Sequence, residues 1–381
     1  MKSIRPILFV HSSDEMYGAD RMLLEFIAAL PERQREAALV WLPTDVPHGA
    51  NPLCAELARR GIAYEHVDLP ILRRHYLNPR GLAGMAGRWR AARRRLRGLD
   101  PQWLVAATSA VLPLVAGLGR GSDMPVVLHM QEIWDGMEAR LLGAMAHRVD
   151  HVVAISDSSR ASLPGHLRER ASVVPNGTPA PGSVVPIEDH SGELVFIIAS
   201  RWNAWKGHEV LLRAWELAEG PGRLVILGGR PTLGQAVDVP GLVARNRYRD
   251  SITVLGEVTD AGRRIEAADV MIVPSTSPEP FGLVTIESFA RGRPVIATAA
   301  GGSGEIVTPG TGWLVPPGEA QALAEVLRGL TRAQVEQAGA HAQRRFEAQY
   351  STHAFGSALT ASLADWALLE APTDTRVLES A

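Results

Sequence analysis

Short apolar runs alternate with amphipathic stretches along the whole chain, and this alternation limits the fold more than any other feature. Ile7–Val10, Ala38–Leu42, Trp103–Ala107, Val126–Met130 and His151–Ile155 read as buried strands, with helical patterns such as Asp20–Leu30 and Leu53–Gly61 between them. Continuous rather than alternating apolar runs belong to strands covered on both faces, which is the condition of a parallel sheet in an α/β fold. The rhythm pauses in a polar, Pro/Gly-rich interval from Gly177 to Gly192. It restarts with Leu194–Ala199, Arg223–Leu227, Ile252–Leu255, Val270–Val273, Pro294–Ala297 and Gly312–Val315. Two α/β halves of similar size are therefore expected, as a length of 381 residues also suggests. The expected limits are 1–177 for the first domain, 178–192 for the linker and 193–345 for the second domain. A helix over 346–369 then packs back on the first domain, and 370–381 forms a tail.

Composition narrows the class. A hydrophobic share of 46% with 21% charged residues describes an ordered globular protein. A net charge of −2 supplies no global field for nucleic acid. The single cysteine, Cys54, excludes an internal disulfide framework and fits a reducing, cytoplasmic compartment, with the thiol expected to act as a small apolar group. The first apolar run is too short for a signal peptide, and Trp103 to Leu118 is too short to span a bilayer.

The densest chemistry lies in Ser277-Pro278-Glu279-Pro280-Phe281-Gly282-Leu283-Val284-Thr285-Ile286-Glu287, which reads as a tight loop between a strand and a helix. Backbone N–H groups of Gly282, Leu283 and Val284 at the helix start can face a diphosphate. Glu279 can accept hydrogen bonds from sugar hydroxyls, and Glu287 can take both hydroxyls of a ribose. The plainer alternative is a pair of solvated charges at a helix start.

Further signals follow a fixed order: Ser200-Arg201-Trp202-Asn203-Ala204-Trp205-Lys206-Gly207, Leu227-Gly228-Gly229, Leu255-Gly256-Glu257-Val258, the glutamate segment, Gly301-Gly302-Ser303-Gly304-Glu305 and Gly312-Trp313-Leu314-Val315. Together these resemble the retaining GT-B glycosyltransferases of family 4, densely from about Val152 to Val315 and more weakly before that. The resemblance implies two Rossmann-like domains facing across a cleft. It implies transfer of a hexose-type sugar from a nucleotide-diphosphate donor, UDP or GDP, to an acceptor hydroxyl, with no cofactor and no metal. Arg201 and Lys206 would contact the diphosphate, Glu279 the transferred sugar and Glu287 the ribose. Gly229, Val258, Phe281, Gly282, Leu283 and Val284 complete the donor side. The alternative for the two cations is a solvated basic loop.

In the first half, the resemblance points to Gly18, in the loop after the first strand, where a Gly-Gly pair is common and this chain has Tyr17-Gly18. It points also to His129 at a strand end, close to the sugar, and to Glu132 for acceptor contact. An ordinary βα turn and a packing histidine are the alternatives. No carboxylate pair can be assigned the roles used by retaining glycosidases, so same-face attack is inherited from the family. Two other readings stay open: a sugar-nucleotide 2-epimerase of the same architecture, and a catalytically silent partner subunit.

Between Arg73 and Arg97 the chain has nine arginines and no acid. Leu82, Met85, Trp89, Ala92 and Leu96 recur on one side of a helix, and Arg90, Arg93, Arg94 and Arg97 fall on another. Such a helix either covers the sheet in the ordinary way or also touches anionic headgroups, which would suit a lipid-linked acceptor.

Overall fold

The computed structural model describes residues 5–46, 52–73, 79–118, 123–231 and 234–369, with backbone alone at 79–83. The expected tail, 370–381, and part of the basic segment, 74–78, lie outside the described residues. The chain divides into two compact units, the first made of Met1–Pro175 with Phe355–Ala381 and the second of Asn176–Ala354. The change of unit falls at the head of the Pro/Gly-rich interval.

Seven strands form the first sheet: β1 (Ile7–Val10), β2 (Ala38–Pro43), β3 (Ala63–Val67), β4 (Trp103–Ala106), β5 (Val126–Met130), β6 (His151–Ala154) and β7 (Ala171–Val173). Their order is β3-β2-β1-β4-β5-β6-β7, and every pairing is parallel. Six form the second: β8 (Val195–Ala199), β9 (Arg223–Leu227), β10 (Ile252–Gly256), β11 (Val270–Val273), β12 (Val295–Thr298) and β13 (Gly312–Val315), ordered β10-β9-β8-β11-β12-β13 and again all parallel. Both sheets are Rossmann-like. In each, the strand order reverses once, beside β1 and β4 in the first and beside β8 and β11 in the second, and such a reversal is where ligands of open α/β sheets bind.

The central strands β1, β4, β5 and β11 are buried along their whole length, which is why they show as apolar runs. The edge strand β3, Ala-Tyr-Glu-His-Val, buries only Val67 fully, and β7 has three residues, each half-buried. Neither carries an apolar run, so neither is visible in the sequence pattern. Phe9 and Phe26, both fully buried, meet edge to face at 5.5 Å in the first unit.

The basic segment is largely the helix Pro79–Leu99. Trp89, Ala92 and Leu96 pack into the first core as the pattern suggests. Its arginines are not a uniform basic face, however. Arg88 bonds Asp68 at 2.8 Å and Asp45 at 3.2 Å, Arg95 bonds Glu65 at 2.9 Å, and Arg73 bonds Asp45 at 3.1 Å. The acids missing from the segment are supplied by the β2–β3 edge. Arg90, Arg94 and Arg97 are exposed, while Arg93 lies over the Trp89 ring at 5.1 Å.

The helix expected over 346–369 is broken at Tyr350 and Ser351, between the helices Arg332–Gln349 and Thr352–Asp365. Arg332–Gln349 begins at Thr331, whose hydroxyl accepts from the Gln334 N–H while Gln334 Oε1 accepts from the Thr331 N–H at 3.0 Å. It ends at Tyr350, whose carbonyl accepts from the Thr178 N–H at 2.9 Å. The helix Thr352–Asp365 follows and buries Phe355, Leu359 and Leu363. Gly356 lies so near Ala29 that a Cβ there would sit 3.5 Å from the alanine methyl, and Trp366 stacks on His151 at 4.6 Å. The last helix thereby completes the first unit. Leu359→Ala, at a fully buried position, is expected to lower the stability of the first unit by about 2–5 kcal/mol, measured as a shift in its urea unfolding midpoint.

Candidate functional site

In the second unit, the loops that leave β8 and β11 are joined at the point where strand order reverses. Gly207 makes the join possible. Its φ is +76°, and a Cβ there would sit 1.9 Å from the Pro274 carbonyl oxygen, so only glycine allows the two loops to touch. The Thr276 N–H donates to the Trp205 carbonyl at 2.8 Å across the same seam. Lys206 and Glu279 meet there: the ammonium donates to Glu279 Oε1 at 2.7 Å, and the Ser275 hydroxyl donates to the same oxygen at 2.6 Å. Lys206 Nζ also lies 4.0 Å from the centre of the Trp205 ring, a cation–π contact. The lysine is therefore held by an aromatic face and a carboxylate. Glu279 is only 4% exposed, and these two donors offset the cost of burying its charge.

Glu279 is fixed through its backbone as well. It pairs with Gly301, and its carbonyl accepts from the Gly302 N–H at 2.7 Å, which ties the glutamate loop to the helix Gly301–Ile306. Gly282 stands just before the helix Leu283–Phe289 with φ +96°, where a Cβ would meet Ser303 Oγ at 2.7 Å. Leu283 and Val284, half-buried, open that helix. Phe281 is buried, its ring edge-on to Tyr350 at 6.2 Å, so the ring is a packing contact. Glu287 is half-buried one turn further on. Arg201, in the loop after β8, is exposed. Gly229 follows β9, and its carbonyl accepts from the Trp202 N–H at 2.8 Å. Val258, half-buried, follows β10. All the donor-side candidates thus lie at or just beyond the carboxyl ends of β8, β9, β10 and β11.

The first unit repeats the device. The Thr108 hydroxyl, after β4, donates to Ser12 Oγ, after β1, at 2.9 Å. Gly18 begins the helix Gly18–Ala29. Asp20, in the first turn, accepts from the Tyr17 N–H at 2.9 Å, bonds His11 Nε2 at 2.9 Å and accepts from the Ser13 hydroxyl. Burial works to raise the Asp20 carboxyl, but His11, Ser13 and Tyr17 hold it below its ordinary value. His129, next to last in β5, lies close to Phe26, with ring centres 5.3 Å apart, and its ring bonds the Gln131 amide. Burial pushes its pKa to about 3, with a smaller contribution from the charge of nearby His11. His129 is therefore a neutral hydrogen-bonding group at any working pH. Glu132 accepts from the Ser109 hydroxyl at 2.7 Å, and the Trp134 indole donates to that same hydroxyl at 2.9 Å. Burial raises the Glu132 carboxyl, against the Ser109 bond.

Several members of these networks have no signal of their own in the sequence. Ser275 sits at the end of an apolar run, and Asp20 lies two residues beyond the glycine that draws the eye. His208, at the start of the helix His208–Leu217, is buried with neither ring nitrogen hydrogen-bonded, and burial brings its pKa to about 4. The Gly301-Gly302-Ser303 cluster, by contrast, stands out in the sequence by its glycines.

The two neutral histidines have a consequence for stability. Their folded-state pKa values lie below the ordinary 6.5, so the unfolded chain takes up their protons first as pH falls. Their contribution is fully present above pH 6.5 and is lost towards about 4 for His208 and about 3 for His129. Each is expected to remove about 1.4 kcal/mol per pH unit within its window. His208→Gln should flatten that part of a plot of unfolding free energy against pH.

Two family descriptions match the chain in order. "Glycosyltransferase Family 4" covers residues 16–180 and "Glycosyl transferases group 1" covers residues 193–332. A phosphatidyl-myo-inositol mannosyltransferase of Mycobacterium leprae is 31% identical over 215 residues, 51% of this chain and 54% of that protein. A D-inositol 3-phosphate glycosyltransferase of Xylanimonas cellulosilytica is 36% identical over 165 residues, 40% of this chain and 38% of its own. The chain thus spans about half or less of the length of these relatives. Among solved structures, HepE of Anabaena, crystallised with UDP and glucose, superposes with a TM-score of 0.77 at 23% identity, covering 95% of this chain and 100% of that one; this likeness speaks for the fold. With two Rossmann-like units and both halves matched in order, the chain belongs to the GT-B glycosyltransferases of family 4, the group 1 glycosyl transferases.

Proposed function

We propose that the chain transfers a hexose-type sugar from a nucleotide-diphosphate donor, UDP or GDP, to an acceptor hydroxyl. Transfer retains the anomeric configuration and uses no divalent metal at the diphosphate. The observation that carries this reading is Lys206, held at the strand-order reversal of the second sheet by Trp205 and Glu279. A leaving nucleoside diphosphate gains negative charge as the glycosidic bond breaks, and a fixed cation aimed at it stabilises the transition state more than the ground state. Lys206 takes that part, with Arg201 as the second cation. UDP is the first nucleotide to try, since HepE was crystallised with it.

Glu279 is neutralised by Lys206 and Ser275 on one oxygen. That makes it a hydroxyl acceptor for the transferred sugar and a poor nucleophile, which supports direct same-face attack with the leaving phosphate taking the acceptor proton. Glu287 binds the ribose, and the backbone around Gly229 and Val258 receives the base. His129, being neutral, contributes hydrogen bonds on the sugar side, and Glu132 and the Gly18 loop face the acceptor chemistry. The M. leprae relative is named for a phosphatidyl-inositol, so a lipid-linked acceptor is the first class to test. The exposed Arg90, Arg94 and Arg97 would then meet anionic headgroups. Neither the epimerase nor the silent-subunit reading gains support from these relatives.

The test is a titration of the folded protein with UDP- and GDP-sugars in EDTA, followed by turnover with acceptors on anionic vesicles. One nucleotide sugar should bind without metal. Lys206→Ala should weaken binding by about 10- to 100-fold, or about 1.4–2.8 kcal/mol. Glu279→Gln should bind the nucleotide nearly as well and turn over far more slowly. A folded protein that binds no nucleotide sugar would end this reading.

A further inference from the structure

We propose that Asp14, Cys54 and His66 bind one divalent metal ion of the zinc class in the first unit. The three residues come from three elements: the loop after β1, the first turn of the helix Leu53–Arg59, and the edge strand β3. One oxygen, one sulfur and one nitrogen from them lie within 4.8 Å of one another. Tetrahedral zinc, with bonds of about 2.0–2.3 Å, needs ligand atoms about 3.3–3.8 Å apart, a closure within reach of side-chain rotation. A mixed thiolate, imidazole and carboxylate set selects zinc or cobalt over magnesium or calcium, which take oxygen alone.

The site is also built in its supports. Asp14 is fully buried, and Oδ1 is fixed by the Cys54 N–H at 2.8 Å. Oδ2 points to His66 Nε2 at 3.1 Å, the contact that an ion would replace. The His66 ring stands edge-on to Tyr64, with centres 5.8 Å apart. The His66 side chain is 31% exposed and Cys54 half-buried, so an ion has a way in. On binding, the thiol proton passes to solvent, and thiolate and carboxylate together balance the two positive charges. Cys54 is then a ligand rather than the small apolar filler that composition suggests.

An ion here ties the edge strand and the helix Leu53–Arg59 to the loop that leads to Gly18. Its role is to hold that loop in one conformation. The site belongs to the first unit and shares no residue with Lys206 and Glu279, so its occupancy is independent of metal-free chemistry at the diphosphate.

The EDTA-treated full chain is titrated with Co2+ and followed by absorption, then back-titrated with Zn2+. One equivalent of Co2+ should produce a thiolate-to-cobalt charge-transfer band that Zn2+ abolishes. The chain has one cysteine, so the band reports Cys54. Cys54→Ser should lose the band, and His66→Gln, whose side chain is 31% exposed and whose amide can still donate to Asp14, should weaken uptake. Zn2+ should raise the thermal midpoint of the parent protein and leave that of Cys54→Ser unchanged. No charge-transfer band in the parent protein, or an unchanged affinity in folded His66→Gln, would show that the cluster is a hydrogen-bonded network only.

Discussion

Lys206 reaches Glu279 only because the loops after β8 and β11 diverge from neighbouring parallel strands and are then drawn together across the reversal of strand order. Gly207 against Pro274 sets how close they come, and the Thr276–Trp205 backbone bond holds them there. A cation and a carboxylate fixed in this way need no reorganisation when a charged ligand arrives. That is the condition under which fixed charges stabilise a transition state well. The parallel sheet, the glycine and the ion pair form one chain of dependence.

The first unit uses the same topology for different chemistry. Its strand-order reversal brings together hydroxyls, Ser12 with Thr108, and a buried His11–Asp20 pair, and the Arg73 guanidinium, itself paired with Asp45, donates to the Ser12 carbonyl at 2.9 Å. The histidine beside them, His129, is stripped of charge by burial. The second unit places a lysine–glutamate pair at its reversal, and the first places hydroxyls, a buried histidine–aspartate pair and an aspartate-paired arginine at its own.

Much of this is legible in the sequence, for a physical reason. Strands buried on both faces must be apolar throughout, so β1, β4, β5, β8 and β11 stand out as runs. The loops that follow them can then be located by position, and the resemblance to the family singles out Lys206 and Glu279 within those loops. Edge strands face water on one side, so β3 and β7 leave no comparable trace. Hydrogen-bond partners are harder still. Nothing in the composition around Ser275 or Asp20 says that each braces a named neighbour, because the pairing depends on residues 4 and 9 positions away and on a fold that closes the distance. The acids that pair Arg73, Arg88 and Arg95 escaped for the same reason: the segment has none, and the β2–β3 edge provides them. At the break, Tyr350 accepts a backbone bond from Thr178, a contact that no local pattern encodes.

The central claim is that Lys206 reads the diphosphate. Its most direct test is the ratio of affinities for a nucleoside diphosphate and the matching monophosphate, measured calorimetrically in EDTA for the parent protein and for Lys206→Ala. The account expects the parent protein to prefer the diphosphate and the variant to lose most of that preference while still binding the nucleoside part. A preference that survives unchanged in Lys206→Ala would contradict it, and would move the phosphate contacts to another part of the second unit.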